Sequence, residues 1–178
     1  MRTLLVATAA ALSFAALPAA ADGGFALGAS AGYTTVSDSF DDADFDGSDV
    51  GYKAFATWMW SDYFGIEGGY IDFGEPSDDI LDVPTSIDAT GWNLYLVGNI
   101  PVTDSLDIFA KVGGVRWDAD LFVDGFPVDS DDGQDLAVSG GLRWNISDNF
   151  GIRGELDWYD ISETDAAWMA GVGIEFRF

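Results

Sequence analysis

Apolar and polar residues alternate strictly over the last eleven positions of the chain, 168–178. The apolar register holds Trp168, Ala170, Val172, Ile174, Phe176 and Phe178, with mostly charged or small residues between them. A period of two predicts a strand with one apolar and one polar face. An aromatic residue at each end of the apolar face is typical of a strand whose outer face meets a bilayer.

The same pattern predicts seven earlier strands. Their approximate ranges are 25–33, 50–60, 64–70, 89–100, 106–117, 134–146 and 150–160. The fourth to the seventh strands are each close to the 9–11 residues that a tilted membrane-spanning strand needs. Alternation in the fifth strand is lost at Arg116, which indicates a bulge there.

A short turn recurs between these strands. Residues 61–68 (SDYFGIEG) match residues 147–154 (SDNFGIRG), and 103–108 is a weaker copy. The alternate connections are mostly long loops, at Ser37–Asp49, Gly74–Asp88, Asp118–Gly133 and Ile161–Asp165. Outer-membrane barrels have short periplasmic turns, long external loops and an even number of strands. We therefore predict an all-β fold, an eight-stranded antiparallel up-and-down transmembrane β-barrel.

The charged residues decide which face of the strands is the lumen. Beyond residue 21, five of the six basic residues fall on the polar register. Facing lipid near the midplane, each would cost roughly 2–4 kcal/mol. The apolar face therefore points outward, with aromatic belts at both bilayer boundaries. The alternative is a soluble lipocalin-like barrel, which alternates equally but has its apolar face inside.

The polar register then forms a packed interior with nearly balanced charge. We expect an ion-pair network in the lumen, made of Lys53, Glu67, Lys111, Arg143, Arg153, Glu155, Asp157, Glu175 and Arg177. Opposite charges in this interior must pair, because an unpaired buried charge is expensive. The network is either a plug that holds the barrel in register or an ion-pair gate across a narrow pore. An eight-stranded barrel is just wide enough for its own side chains, which favours the plug.

The first 21 residues have the features of a secretory signal peptide. An apolar run, Leu4–Leu17, follows Arg2, and Ala19-Ala20-Ala21 is a small-residue cleavage site. The run is shorter than the roughly 20 residues of a membrane helix. The predicted organisation is residues 1–21 as signal peptide and residues 22–178 as barrel.

The chain resembles the OmpA-like transmembrane barrel family. The resemblance rests on Phe-Gly-Ile-Arg-Gly-Glu-Leu-Asp-Trp-Tyr from Phe150, on the terminal Phe178 and on the hairpin repeats. It implies an integral outer-membrane protein of a Gram-negative bacterium. It also implies insertion by the barrel assembly machinery, which recognises a C-terminal strand, here Trp168, Val172, Ile174, Phe176 and Phe178.

The resemblance extends to part of the interior. The family's Glu on strand three and Arg on strand seven are matched by Glu67 and Arg153. Its second interior pair, a Lys on strand four and a Glu on strand six, is not kept. Asn99 or Val97, and Arg143, occupy those strands, which puts family-style gating in doubt.

The net charge and the lack of basic residues in the long loops restrict which partners are expected. The formal charge is −24, and the four long loops hold nineteen acidic residues without a lysine or arginine. Nucleic acid is therefore not an expected partner. Asp42, Asp44, Asp46 and Asp49 resemble the opening of an EF-hand loop, but Lys53 stands where the bidentate Glu should be. We expect loose attraction of divalent cations, which could bridge the loops to lipopolysaccharide phosphates.

Enzyme activity is the competing class of function. The chain has neither histidine nor cysteine, so a Ser-His-Asp triad and thiol chemistry are impossible. We expect that the protein has no enzymatic activity and binds no cofactor. The function predicted is a structural or surface role for a monomeric barrel in outer-membrane lipid, with a small gated pore for ions or solutes as the alternative.

Overall fold

The computed structural model describes residues 24–40, 43–80, 83–160 and 166–178. In this part of the chain no helix has the length and apolar character needed to cross a membrane. The strands are β1 (Gly24–Phe40), β2 (Ala43–Met59), β3 (Phe64–Asp72), β4 (Ser77–Ile80), β5 (Val83–Thr103), β6 (Leu106–Val123), β7 (Phe126–Asn145), β8 (Phe150–Asp160) and β9 (Ala166–Arg177). The predicted signal peptide, residues 1–21, lies outside the described residues.

Eight of these strands form a closed ring. Each pairs antiparallel with its two neighbours, and β1 pairs with both β2 and β9. The closure is completed at the end of the chain, where the Phe178 amide donates to the Phe25 carbonyl at 2.9 Å. Four-residue β4 is an addition to the ring, paired with β5 and touching β2 at Ser48 and Ser77. The predicted eight-stranded up-and-down barrel is confirmed.

The repeated turn sequence has a physical cause. In two turns a serine hydroxyl accepts a hydrogen bond from the phenylalanine amide three residues on, Ser61 from Phe64 at 3.1 Å and Ser147 from Phe150 at 3.2 Å. In the third turn the Thr103 hydroxyl accepts from the Ser105 amide at 3.2 Å. Serine and threonine favour such local hydrogen bonds at turns. These three turns mark one end of the barrel, the short-turn end.

At the opposite, long-hairpin end, the prediction of long loops was wrong for three of the four connections. The segments predicted as Ser37–Asp49, Gly74–Asp88 and Asp118–Gly133 are largely strand, so the sheet continues past the predicted strand ends. The β6–β7 hairpin closes in a tight turn at Asp124 and Gly125, whose φ angles are 51° and 75°. Asp-Gly favours such a two-residue turn. The fourth connection, Ile161–Asp165, lies outside the described residues.

Apolar side chains cover the outside of the ring, as predicted. Leu94, Leu142 and Ile174 are exposed by 64%, 51% and 54%. The predicted belt towards the long-hairpin end is exposed throughout and comprises Tyr33, Tyr52, Tyr70, Trp92, Trp158 and Trp168. The belt towards the short-turn end comprises Phe25, Trp60, Phe64, Trp144, Phe150 and Phe178, of which Phe25 and Phe150 are half-buried.

Strand β6 shows that the polarity of the two faces reverses along the barrel. Its outward residues change from Ile108 and Val112 to Arg116 and Asp118. Its inward residues become apolar from Val115 onward. The bulge predicted at Arg116 was wrong, because the register continues there. The register of β6 shifts elsewhere, opposite Pro101 and Thr103 of β5 and between Leu121 and Phe122 against β7. Alternation in hydropathy ends at Arg116 because the strand passes from lipid to water, where polar residues face outward.

The outward face beyond the belt brings acidic side chains together. Asp88 of β5 stands directly opposite Asp120 of β6. Partial burial raises the pKa of Asp88 above its usual value, and the charges of Asp72 and Asp120 raise it further. Because the folded-state pKa is raised, the stabilisation from protonated Asp88 is present at low pH and is lost as pH rises through the raised pKa.

We expect Asp88→Asn to increase the stability of the β5–β6 hairpin at neutral pH. The increase should shrink on acidification below the unfolded-state pKa, where aspartic acid is already neutral. Amide hydrogen exchange of the hairpin at two pH values measures this. Asp124→Asn, which removes the same charge from the tip of the β6–β7 hairpin, is the control. Equal effects of both substitutions would contradict the assignment to Asp88.

Candidate functional site

The middle of the lumen is filled by an ion-pair layer. It consists of three cations and three anions: Lys53, Lys111, Arg153, Glu67, Glu155 and Asp157. All six side chains are buried. They project inward from β2, β3, β6 and β8 because each lies on the polar register of its strand. The layer is therefore electrically balanced and ties strands from opposite walls together.

Glu67 uses both of its carboxylate oxygens in the layer. Its two carboxylate oxygens accept from the Arg153 guanidinium at 2.7 and 3.1 Å in a bidentate pair. It also accepts from Lys111 at 2.7 Å and from the Thr57 hydroxyl at 2.8 Å. The Arg153 guanidinium lies 3.5 Å from the centroid of the Phe55 ring. Glu67 thus satisfies two buried cations at once.

Glu155 and Asp157 complete the layer. Glu155 pairs with Arg153 at 2.7 Å, with Lys111 at 3.0 Å and with Lys53. Asp157 pairs with Lys53 at 2.7 Å. Every cation therefore contacts at least one carboxylate, as a low-dielectric interior requires.

The remaining predicted lumen residues form a second group, the rim cluster, nearer the short-turn end. It consists of the predicted residues Arg143, Glu175 and Arg177 together with Asp107, which was not among the predicted network residues. Arg143 contacts Glu175 at 2.8 Å and Asp107 at 3.5 Å, and Arg177 lies 3.5 Å from Glu175. A cavity of about 750 Å³ opens beside this cluster at the short-turn end.

Asn99 and Val97 are the two positions at which the resembled family could have its strand-four Lys, and their surroundings differ. Asn99 lines the same cavity and accepts from the Arg143 guanidinium at 3.0 Å. Val97 is buried in the lumen without a charge. The second cation near Glu67 is instead Lys111, which comes from β6 rather than from β5.

Towards the long-hairpin end, the lumen contains an apolar layer that the sequence reasoning missed. This layer, here called the aromatic lid, comprises Ile71, Phe73, Tyr95, Val115, Trp117, Ala137, Tyr159, Ala167 and Met169. Phe73 packs edge-on against Tyr159 with ring centroids 5.1 Å apart. The Trp117 indole donates to the Asp135 carboxylate at 2.7 Å. The expectation of a polar interior was therefore wrong at this level. Apolar side chains fill the lumen from just inside the belt, at Tyr95 and Met169, to beyond it, at Trp117.

The weak cation candidates are only partly described. The side chains of Asp42, Asp44 and Asp46 lie outside the described residues. The Asp49 carboxylate accepts from the Glu75 amide at 2.9 Å, and backbone hydrogen bonds from Glu75 and Val50 hold the pKa of Asp49 below its usual value. Residues 43–49 belong to β2 rather than to a curled calcium loop.

The residues predicted to be recognised during assembly share the outer face of β9. Trp168, Val172, Ile174, Phe176 and Phe178 are all exposed, from 36% to 63%. The Phe178 ring packs at 6.0 Å from Phe25 and at 5.2 Å from Phe176. The structure thus brings the two chain ends of the barrel together in one aromatic cluster at the short-turn end.

A closed ring with an apolar outer face, aromatic belts and paired charges inside defines an integral outer-membrane β-barrel. The comparisons with known proteins agree. Residues 4–178 match the family model described as outer membrane protein beta-barrel domain, and the chain belongs to that family.

A curated relative, outer membrane protein A of Klebsiella aerogenes, is 26% identical over 138 residues, which cover 74% of this chain and 39% of that protein. The chain thus spans about two fifths of the length of this relative.

Two solved structures share the fold. Neisserial surface protein A superposes with a TM-score of 0.66 at 13% identity, over 86% of this chain and 97% of that chain. OprG from Pseudomonas aeruginosa superposes with a TM-score of 0.63 at 19% identity, over 88% of this chain and 96% of that chain. The protein is located in the outer membrane of a Gram-negative bacterium. In barrels of this class the short turns are periplasmic and the long connections extracellular.

Proposed function

We propose that this protein is a structural outer-membrane barrel with a closed lumen and an acidic extracellular surface. The observation that carries the proposal is the filling of the lumen by two stacked layers, the ion-pair layer and the aromatic lid. The ion-pair layer is a plug that satisfies its own charges and links opposite walls. The aromatic lid closes the same passage with apolar side chains, through which an ion would have to pass without its hydration shell.

Conductance in planar bilayers tests the closed lumen. We expect no discrete current steps above the lipid background for the native protein. Glu67→Ala should also remain silent, because the aromatic lid still closes the passage after the ion pairs are broken. Insertion is checked in parallel by heat-modifiable migration on a gel after refolding.

A different outcome would favour the small gated pore. Current steps in the native protein that change in size with Glu67→Ala or Arg153→Ala would show that ions cross the ion-pair layer. The periplasmic cavity beside the rim cluster would then be the vestibule of that pore.

The proposal includes no catalytic activity and no cofactor. Support comes from the absence of histidine and cysteine in the sequence. The carboxylates of the ion-pair layer are each held by cations, and none of them faces an open cleft. Turnover of a lipid or peptide substrate that is abolished by a single carboxylate substitution would overturn this part of the proposal.

The biogenesis we propose begins with removal of residues 1–21, so that the mature chain starts at Asp22. The assembly machinery then recognises the exposed apolar face of β9, and the barrel inserts as a monomer. The N-terminal mass of the protein purified from outer membranes tests the cleavage site. A mass that retains residues 1–21 would contradict it.

The acidic extracellular hairpins attract divalent cations loosely, and these cations link them to lipopolysaccharide phosphates. Support comes from opposed carboxylates such as Asp88 and Asp120, or Asp118 and Asp132, whose repulsion a cation would relieve. Protease resistance of the hairpins should increase on adding magnesium. Unchanged resistance would argue against this role.

A further inference from the structure

One outward-facing row of side chains at the extracellular belt combines aromatic, cationic and amide groups. Tyr70 of β3 pairs in register with Trp92 of β5, Trp92 with Arg116 of β6, and Arg116 with Gln134 of β7. All four side chains are exposed. The Tyr70 and Trp92 rings meet edge-on with centroids 5.2 Å apart. These four residues, the belt row, form one row in register across four neighbouring strands.

Arg116 is unusual in its position. The other five basic residues of the described part of the chain line the lumen, four of them buried and Arg177 at its rim. Arg116 alone points outward, and within the described ranges it forms no ion pair. A guanidinium at the edge of the bilayer needs an anionic partner or water to satisfy its five donors.

The surroundings of the belt row restrict what this partner can be. Immediately beyond it, the next row outward contains Asp118 and Asp132, which stand opposite each other and repel soluble anions. Below it, the outer face is apolar. Leu94 and Leu136 lie in the next row, on either side of Gly114, and Val112 lies in the row after that. An anion that approaches from the lipid side therefore reaches Arg116 without crossing the acidic surface, and its acyl chains find an apolar wall.

We propose that the belt row binds the phosphorylated sugar headgroup of an outer-leaflet lipid, lipopolysaccharide. The Arg116 guanidinium donates two hydrogen bonds to one phosphate, a geometry in which arginine exceeds lysine. The face of Trp92 packs against a sugar ring, and the Gln134 amide bonds its hydroxyl groups. The acyl chains lie along Leu94, Val112 and Leu136. This contact is direct and needs no metal ion, unlike the cation-bridged contact of the acidic hairpins.

Native mass spectrometry of the refolded barrel with bis-phosphorylated lipid A tests the proposal. Arg116→Gln should weaken binding about tenfold, the size expected for loss of one charge-assisted bidentate contact. Arg116→Lys should retain part of the affinity, and Trp92→Leu should reduce it. Trp158→Leu is the matched control, because it removes a belt tryptophan from β8, where the partner in register is Trp168 rather than a cation.

Three results would overturn the proposal. The first is unchanged lipid A binding in Arg116→Gln, or an equal loss in Trp158→Leu, either of which would place the lipid elsewhere on the belt. The second is abolition of binding by a chelator, which would assign it to metal-bridged carboxylates. The third is equally tight binding of soluble glucosamine 1-phosphate, which would mean that the lipid chains contribute nothing. Unaltered heat-modifiable migration shows that each variant is folded.

Discussion

Replacing Glu67 with alanine is expected to reduce the free energy of unfolding by about 3–5 kcal/mol, the usual effect of breaking a buried ion pair from one side. The loss is large because one carboxylate serves both Arg153 and Lys111, at 2.7 Å each. Removing it leaves the ion-pair layer with three cations and two anions in a buried lumen. Urea unfolding in lipid vesicles, followed by tryptophan fluorescence, measures the change.

A double variant separates charge imbalance from lost packing. In Glu67→Ala with Lys111→Ala the layer again has equal numbers of cations and anions, and Arg153 keeps Glu155 at 2.7 Å. The double variant should therefore be less destabilised than the sum of its single substitutions, since coupled residues are not additive. A cost below about 1 kcal/mol for Glu67→Ala, the range of exposed pairs, would show that the layer is hydrated and not a plug.

Replacing Phe73 with alanine is expected to destabilise the extracellular half of the barrel by about 3–5 kcal/mol, as large-to-small core substitutions of phenylalanine do. Phe73 is only 2% exposed, and it fills the lid against Tyr159. Its removal opens a void where the walls of the barrel cannot collapse, because the hydrogen-bonded ring fixes their separation. Equilibrium unfolding and hydrogen exchange of β3, β5 and β6 report the loss.

Phe126 provides the comparison for this experiment. It lies beside the β6–β7 turn, and 70% of its surface is exposed. Phe126→Ala should therefore change the unfolding free energy by no more than about 0.5 kcal/mol, as surface substitutions do. Equal effects of Phe73→Ala and Phe126→Ala would mean that the aromatic lid is not a packed core.

The ring itself could be predicted because a period of two is a strong signal over eight strands. The repeated turns at Ser61 and Ser147 indicated which strands are joined by short connections. The cost of a charge in lipid indicated which face of the strands lines the lumen. The extensions of β1, β2, β5, β6 and β7 beyond the belt could not be recognised as strand. In water both faces of such a hairpin tolerate aspartate, so its composition resembles that of a loop.

The lumen could be predicted only in part. The polar register identified which charged residues point inward, but their partners depend on how far neighbouring strands are staggered. That stagger brings Lys53 to Glu155 and Asp157, and Lys111 to Glu67. The aromatic lid was missed although the sequence carried a sign of it. In β6 the apolar residues change register near Arg116, so that Val115 and Trp117 take the inward positions.

The central claim is that apolar side chains face outward to lipid within the membrane, whereas beyond the belt polar side chains face outward to water. Nitroxide labels placed along the outer face test this claim most directly. Labels at Leu94, Leu142 and Ile174 should be more accessible to oxygen dissolved in lipid than to a water-soluble nickel chelate. A label at Asp118, beyond the belt, should show the opposite preference. Preferential access of the nickel chelate to Leu94, Leu142 and Ile174 would contradict the account.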